Sequence, residues 1–160
     1  KLVALHRPDN IAYINKELKE TILHTFDSIE AIRSYDYMFI FSIETPFKTS
    51  YLIDSAIDMA VVFDVEHVVG VRQDNRVYYK HGGNGLYPIN QNDSHVRLER
   101  DELYRSVTGF HLSSVKYFLE NNCLSDTNLG HVIFEQKSAM EIKSELDLRI
   151  ANMLVESGDI

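Results

Sequence analysis

Cysteine is almost absent from this sequence of 160 residues. Its one cysteine, Cys123, has no partner for an internal disulfide and cannot build a cysteine-based zinc site. No positively charged leader precedes an apolar segment at the N-terminus, so a reducing cytoplasm is the expected location. No motif surrounds Cys123, which favours a structural role for it.

Cationic residues are also scarce. Lysine and arginine number 16 against 24 aspartates and glutamates, which gives a net charge of −8. Binding along a nucleic-acid backbone needs an excess of cations, so no nucleic-acid partner is expected. The longest apolar runs, such as 37–43 and 60–63, fall far short of the roughly 20 residues that cross a bilayer, so no membrane partner is expected either.

The remaining composition is that of one globular domain, with 44% apolar, 11% aromatic and 25% charged residues. Apolar residues spaced three and four apart predict a helix over 15–33. Residues 37–43 are apolar on both faces, which predicts a central parallel strand. Thr49 or Ser50 then caps a helix, and residues 67–72 form another strand. This strand–helix–strand order indicates an α/β fold with a mainly parallel sheet.

Residues 73–104 break the pattern and predict a projecting hairpin. Polar and apolar residues alternate over 76–80, as in a strand, and a glycine-rich turn follows at 82–85. Residues 86–89 can then form the returning strand of the hairpin. Such glycines can cradle a phosphate, but the strand-to-helix setting of phosphate loops is missing, so a plain turn is favoured.

The last third of the chain returns to strands and helices. Residues 108–112 predict a strand, Ser113 or Ser114 caps a helix, and 131–135 predict a short strand. Ser144 and Asp147 have the spacing of a capping box at the start of a final helix.

Two places carry candidate chemistry. Ligands of open parallel sheets bind beyond the carboxyl ends of the strands, and four polar residues follow residues 37–43 there: Ser42, Glu44, Thr45 and Lys48. Position alone leaves open whether they bind a ligand or only shape the turn. Glu141 precedes the final helix, where a carboxylate can hold a divalent metal but where acids also gather because of the helix dipole.

Histidine offers no clear site. The histidines are scattered, and no pair has the three- or four-residue spacing of zinc sites on helices. His111, inside a predicted strand, is therefore interpreted as a satisfied or solvated side chain.

With these segments in order, the chain resembles the acylneuraminate cytidylyltransferase family. Residues 6–12, His-Arg-Pro-Asp-Asn-Ile-Ala, are similar to the Arg-Pro-Glu-Glu-Leu-Ala of that family, and 35–37 repeat its Tyr-Asp-Tyr. Residues 41–49 stand where it has Leu-Gln-Pro-Thr-Ser-Pro-Leu-Arg-Thr, and 68–71 match its Val-Val-Ser-Val strand. Residues 144–151, Ser-Glu-Leu-Asp-Leu-Arg-Ile-Ala, are very like the Thr-Glu-Leu-Asp-Leu-x-x-Ala that closes it.

The resemblance implies a nucleotide-diphosphosugar transferase fold, a three-layer α/β sandwich. In that family a sugar hydroxyl attacks the α-phosphate of CTP and pyrophosphate leaves, with magnesium and cationic side chains stabilising the charge. It further implies CTP and an acidic, sialic-acid-like sugar as substrates, and a homodimer built partly from 73–104. The family's glycine-rich, lysine-containing nucleotide loop is expected upstream of Lys1. Residues 1–160 are therefore expected to be the C-terminal part of one such domain, inactive without that loop.

The resemblance also assigns roles by position. Ser42, Glu44, Thr45, Thr108 and Gly109 stand at substrate-contacting positions. Ser42 replaces a glutamine of the family, and Val107-Thr108-Gly109 stand where the family has Asn-Gly-Ala.

The charged positions depart further from the family pattern. Lys48 replaces an arginine, which keeps the charge but loses the planar fork of donors. The magnesium-binding Asp-Ile-Asp is here Glu141-Ile142-Lys143, so Glu141 is the expected metal ligand and the ammonium of Lys143 opposes the metal. Lys48 and Lys143 are the predicted catalytic cations. The alternative is a divergent, non-catalytic module that binds a sugar or nucleotide or mediates dimerisation.

Overall fold

The computed structural model describes residues 2–13, 17–89, 102–124 and 128–159. In chain order, the strands are β1 (Tyr37–Phe41), β2 (His67–Asp74), β3 (Tyr79–Gly82), β4 (Gly85–Pro88), β5 (Leu103–Ser114) and β6 (Leu129–Ile133). The helices are α1 (Leu18–Ser28), α2 (Ser50–Phe63), α3 (Val115–Asn121) and α4 (Glu145–Glu156), with short 3-10 helices at Asp9–Ile11 and Glu30–Ser34. No helix among the described residues has both the length and the apolar character needed to span a membrane.

Four strands form the main sheet in the order β1-β5-β2-β6. Strand β5 is antiparallel to both of its neighbours, whereas β2 and β6 are parallel. Strands β1, β2 and β6 therefore point the same way, which confirms an α/β fold with a mainly parallel sheet. The prediction of β1 as a central strand with parallel neighbours was wrong, because within the described sheet β1 is an edge strand that pairs antiparallel with β5.

Helices cover both faces of the sheet, so the domain has three layers. Alternate residues of β1 show this, since Tyr37 and Phe39 pack against one core and Met38 and Ile40 against the other. The first core lies under α2 and contains eleven buried residues: Leu52, Ala56, Ala60, Val65, Val68, Val107, Phe110, Leu112, Val132, Phe134 and Ala139. The second joins α1 to α3 through Ile22, Phe26, Val115 and Phe118. Coverage on both faces explains why the sequence of β1 reads like a central strand.

Side-chain caps begin three of the helices where the sequence predicts them. Thr49 accepts from the amide of Leu52, and Ser114 accepts from the amide of Tyr117. Ser144 and Asp147 form the capping box of α4. The helix predicted over 15–33 is shorter, because the backbone at Ile29 leaves the helical region and a 3-10 turn follows; residues 14–16 lie outside the described part.

The hairpin β3–β4 stands apart from the main sheet, as predicted. Its strands are antiparallel and are joined by Gly83 and Asn84, so the glycine-rich segment is a hairpin turn. Several large apolar side chains on it are exposed: Tyr79, Leu86, Tyr87 and Ile89. Residues 90–101 of the predicted excursion lie outside the described residues.

A bulge interrupts β5 where it passes the end of β1. Val69 pairs with His111 but Val71 pairs with Ser106, so the four residues 107–110 of β5 lie opposite the single residue Gly70 of β2 and β5 carries three extra residues. Bulges redirect side chains and are common beside functional sites. This one turns Thr108 and Gly109 towards the loop that follows β1.

His111 differs from its predicted environment. Its Nε2 is buried and has no hydrogen-bond partner among the residues that the structure describes, and its ring lies 5.5 Å from that of His67. Burial and the neighbouring His67 lower the pKa of His111 to about 4. It is neutral at physiological pH, and the prediction of a satisfied or solvated side chain was wrong.

Candidate active site

Three segments that are distant in sequence meet beyond the carboxyl end of β1. They are the loop 42–49, the bulge of β5, and the segment 139–144 that leads into α4. Direct contacts join them, because Thr45 Oγ1 donates to the carbonyl of Thr108 (2.9 Å) and the amide of Ile142 donates to the carbonyl of Glu44 (2.8 Å). All eight residues that the sequence singles out lie in this cluster: Ser42, Glu44, Thr45, Lys48, Thr108, Gly109, Glu141 and Lys143.

Lys48 is held by oxygens of its own loop. Its ammonium donates to the carbonyl of Ser42 (2.9 Å), to the carbonyl of Thr45 and to Thr45 Oγ1 (2.5 Å). Thr45 is fully buried, so it is a fixed anchor for the lysine. The ammonium also lies 5.4 Å from the centre of the Phe41 ring, a cation–π distance.

The charge of Lys48 is not neutralised within the described part of the chain, where no carboxylate forms an ion pair with it. Partial burial lowers the pKa of Lys48 from its usual value. Uncharged oxygens orient the ammonium without neutralising its charge. This is the property expected of a cation that stabilises a phosphoryl group during transfer.

Gly109 allows β5 to approach the loop closely. Its φ is +65°, and an added Cβ would lie 2.1 Å from the Cβ of Ser42 and 2.3 Å from its amide nitrogen. The Ser42 amide donates to the Gly109 carbonyl at 3.1 Å. Only glycine fits this position. The resemblance gave Gly109 a substrate-contacting role, whereas the geometry gives it a positioning one.

Glu141 is bound on both of its carboxylate oxygens. Thr108 donates to Oε1 through its hydroxyl (3.1 Å) and, more weakly, through its amide (3.4 Å), and Lys143 forms an ion pair with Oε2. The Glu141 side chain is only 15% exposed. Burial alone would raise the pKa of Glu141, but the hydrogen bonds from Lys143 and Thr108 outweigh it and lower the pKa. Glu141 is therefore an anion, and a poor proton acceptor.

Lys143 is placed by the cap of α4. Asp147 Oδ2 accepts from the amides of Lys143 (3.1 Å) and Ser144 (2.8 Å) and from the Ser144 hydroxyl. The ammonium of Lys143 then meets Glu141, whose hydrogen bond and charge raise the pKa of Lys143. Glu44 raises it further, so the exposed carboxylate of Glu44 faces the same ammonium.

A magnesium ion does not fit these residues as arranged. A hard cation needs vacant oxygens, but both carboxylate oxygens of Glu141 are occupied, and the ammonium of Lys143 lies against one of them. Asp147 caps the helix through its Oδ2. Among residues 2–13, 17–89, 102–124 and 128–159, no group of three or more His, Cys, Asp or Glu is placed to hold a metal.

Two arginines beside the site did not stand out in the sequence. A cavity of about 590 Å³ continues from Glu141 between the sheet and α4, and Arg72 and Arg105 line it. They sit opposite each other on β2 and β5. Finding them from the sequence requires the pairing of β5 with β2, which no local pattern gives.

The fold of the chain is similar to that of a solved enzyme structure. No family model and no curated protein matches the sequence. Among solved structures, the chain is similar to 4-diphosphocytidyl-2C-methyl-D-erythritol synthase from Anaerococcus prevotii, with a TM-score of 0.56 and 14% identity. The likeness shows the fold. It covers 84% of this chain and 63% of the synthase chain, so the protein described here spans less than two thirds of that structure.

Proposed function

We propose that the protein is a nucleotidyltransferase that uses CTP and transfers CMP to an acidic, sialic-acid-like sugar. The convergence of the eight predicted residues at one place carries this proposal. Residues matched to a cytidylyltransferase family by sequence order alone meet beyond the end of β1. The chain has a fold similar to that of a synthase whose name describes a diphosphocytidyl compound as its product.

In the proposed reaction a hydroxyl of the acceptor attacks the α-phosphorus of CTP. A new phosphorus–oxygen bond forms, the bond from the α-phosphorus to the oxygen that bridges to the β-phosphorus breaks, and pyrophosphate leaves with that oxygen. The hydroxyl proton passes to water, because the hydrogen bonds from Lys143 and Thr108 lower the pKa of Glu141 and make it a poor proton acceptor. Lys48 stabilises the negative charge that builds up on the phosphoryl oxygens.

Lys143 has a second, conditional role. In the free protein its charge is balanced by Glu141. A phosphate that displaces the Glu141 carboxylate would gain that ammonium as a partner. Catalysis in this scheme rests on two lysines and on the loop–bulge contact, and no step is assigned to magnesium, whose requirement stays a prediction from the resemblance.

The decisive experiment is an assay of pyrophosphate release by the full-length protein. CTP is supplied with a series of nonulosonic acids and, in parallel, with neutral and phosphorylated sugars, with and without divalent metals. Release that depends on CTP and on one acceptor supports the proposal. No release with any acceptor under any metal condition removes it.

A non-catalytic module is the second candidate, and the Glu141–Lys143 ion pair is the observation that favours it. A site whose second cation is already neutralised can bind a sugar or nucleotide without turning it over. In that case calorimetry detects CTP binding while the pyrophosphate assay stays silent.

We also infer a homodimer, since exposed Tyr79 and Leu86 give the hairpin an apolar surface. Sedimentation of the full-length protein, compared with a variant carrying Tyr79→Ser and Leu86→Ser, tests the dimer. Unchanged dimer mass in that variant would contradict the role of the hairpin.

A further inference from the structure

Arg72 and Arg105 form an unusual pair in the main sheet. They are directly opposite each other in the antiparallel pairing of β2 with β5. Opposite residues of such a pair project from the same face, with Cβ atoms about 5 Å apart. Like charges at this position destabilise a sheet unless a counter-charge lies nearby.

The described residues supply no such counter-charge. Arg33, Arg76 and Arg149 each form an ion pair with a carboxylate: Asp27, Asp74 and Glu145. Neither the Arg72 side chain nor the Arg105 side chain makes an ion pair or hydrogen bond with another described residue.

Two acids that line the same cavities, Asp74 and Glu141, are already engaged. Asp74 accepts from Arg76 and from the Tyr78 hydroxyl (2.5 Å). Glu141, on the wall of the same cavity, is held by Lys143 and Thr108. Within the part of the chain that the structure describes, no ion pair therefore balances the positive charge of these two arginines.

The arginines are also accessible to a small molecule. Both are only partly buried, and both line two cavities, one of about 590 Å³ that reaches Glu141 and one of about 720 Å³ on the side of Asn75 and Arg76. Arg105 is close enough to Lys143 to oppose the rise in the pKa of that lysine, which Glu141 causes. The pair thus adjoins the candidate active site.

We propose that Arg72 and Arg105 bind a phosphate group of a substrate. Each guanidinium presents a planar fork of donors that matches two oxygens of a phosphate. A phosphate carries close to two negative charges at neutral pH and has three free oxygens, so it satisfies two facing guanidiniums, whereas a single carboxylate satisfies one. The inference rests on the proposed function only in taking the ligand as one of its substrates.

Inorganic phosphate is the direct probe. Calorimetry and thermal unfolding of the full-length protein in low-salt buffer are compared for the wild type, Arg72→Gln, Arg105→Gln and the control Arg149→Gln. Arg149 is exposed and pairs with Glu145, away from the cavity lining. Phosphate is expected to raise the melting temperature of the wild type and the control. Each cavity variant is expected to bind phosphate about tenfold more weakly or worse, the usual loss for a charged hydrogen bond.

Protein stability separates loss of binding from loss of fold. Without phosphate, Arg72→Gln and Arg105→Gln are expected to melt no lower than the wild type, because each removes a like-charge contact. Arg72→Lys and Arg105→Lys, which keep the charge but lose the fork, provide a second test and are expected to bind phosphate better than the glutamine variants. Phosphate affinity that stays at the wild-type level in both glutamine variants overturns the proposal. Acetate bound as tightly as phosphate also overturns it.

Competition then identifies the source of the phosphate. Displacement of bound phosphate by CTP or pyrophosphate assigns the site to the nucleotide. Displacement only by a phosphorylated sugar keeps the phosphate site but assigns it to an acceptor other than the sialic-acid-like sugar of the proposed reaction. If neither displaces it, the assignment to a substrate is overturned. The two proposals fail separately: phosphate bound through these arginines, with no pyrophosphate release from CTP, leaves the site in place and removes the proposed reaction.

Discussion

The two lysines of the candidate active site sit in opposite electrostatic settings. Lys48 is held by a buried threonine and two backbone carbonyls, without an ion-pair partner among the described residues. Lys143 stands against Glu141 and is 59% exposed. A lysine oriented by neutral oxygens keeps its charge for a ligand, whereas a lysine paired with a carboxylate must first be released. Residue type alone therefore does not reveal which cation is ready to act.

Removing the close contact between β5 and the Lys48 loop should have the largest effect. Gly109→Ala forces a Cβ into the backbone of Ser42 and places alanine at a φ of +65°. Left-handed strain and overpacking together should lower the free energy of unfolding by roughly 2–5 kcal/mol in urea titrations. The matched control is Gly83→Ala in the hairpin turn, where an added Cβ meets nothing within 4 Å. Equal stability of the two variants would contradict the contact.

The second test removes the unpaired charge itself. Lys48→Met should lower the turnover of CTP by about a hundredfold or more, the usual effect of losing one preorganised group that stabilises transition-state charge. The control is Lys116→Met on α3, an exposed lysine outside the cluster. If both variants release pyrophosphate at similar rates, Lys48 is not the active cation.

Releasing Lys143 from its ion pair should strengthen the binding of CTP. Glu141→Gln keeps an acceptor for Thr108 but removes the charge that neutralises Lys143, so CTP should bind up to about tenfold more tightly by calorimetry. Glu145→Gln, which removes an exposed acid on the first turn of α4, is the control. Weaker CTP binding by Glu141→Gln would show that the carboxylate itself serves the ligand.

Converting Lys143 into an acid tests the metal argument. Lys143→Asp replaces the opposing ammonium with a second carboxylate beside Glu141, so magnesium affinity measured by calorimetry should rise several-fold, to about tenfold. Lys137→Asp, in the wall of the adjoining cavity, is a suitable comparison. Unchanged magnesium affinity in Lys143→Asp would mean that the ammonium does not exclude the ion.

The smallest expected effect is a displaced pH profile. Burial lowers the pKa of Lys48, so its protonated form is lost at a lower pH than for an ordinary lysine, and turnover should decline there as pH rises. Lys48→Arg retains its proton throughout this range and should carry the alkaline decline to higher pH, whatever its absolute rate. Identical alkaline limbs for the two proteins would assign the decline to another group.

Local patterns predict much of the secondary structure of this chain. The caps at Thr49, Ser114 and Ser144 and the turn at Gly83 follow from residues within one turn of each other. The continuous apolar run of β1 reflects the helices on both sides of the sheet, although its position in the sheet was predicted wrongly.

Long-range pairing escapes such patterns. Nothing within residues 103–114 indicates that β5 runs between β1 and β2 or that extra residues form a bulge at Thr108 and Gly109. The position of Arg72 opposite Arg105 depends on the pairing register of β2 and β5. The ion pair between Lys143 and Glu141 depends on the geometry of the loop before α4. Sequence order was enough to identify the candidate site residues, but it did not show which of them form ion pairs in the folded protein.

The carboxylate of Asp147 links a secondary-structure signal to the chemistry next to it. It receives the amide of Lys143 while it caps α4, so the first turn of the helix and the backbone of that lysine form one mechanical unit. Any rigid shift of the helix on the sheet would carry the lysine with it and change its distance from Glu141, which is tied to β5 instead. The packing of α4 therefore determines how easily the ammonium of Lys143 can separate from Glu141.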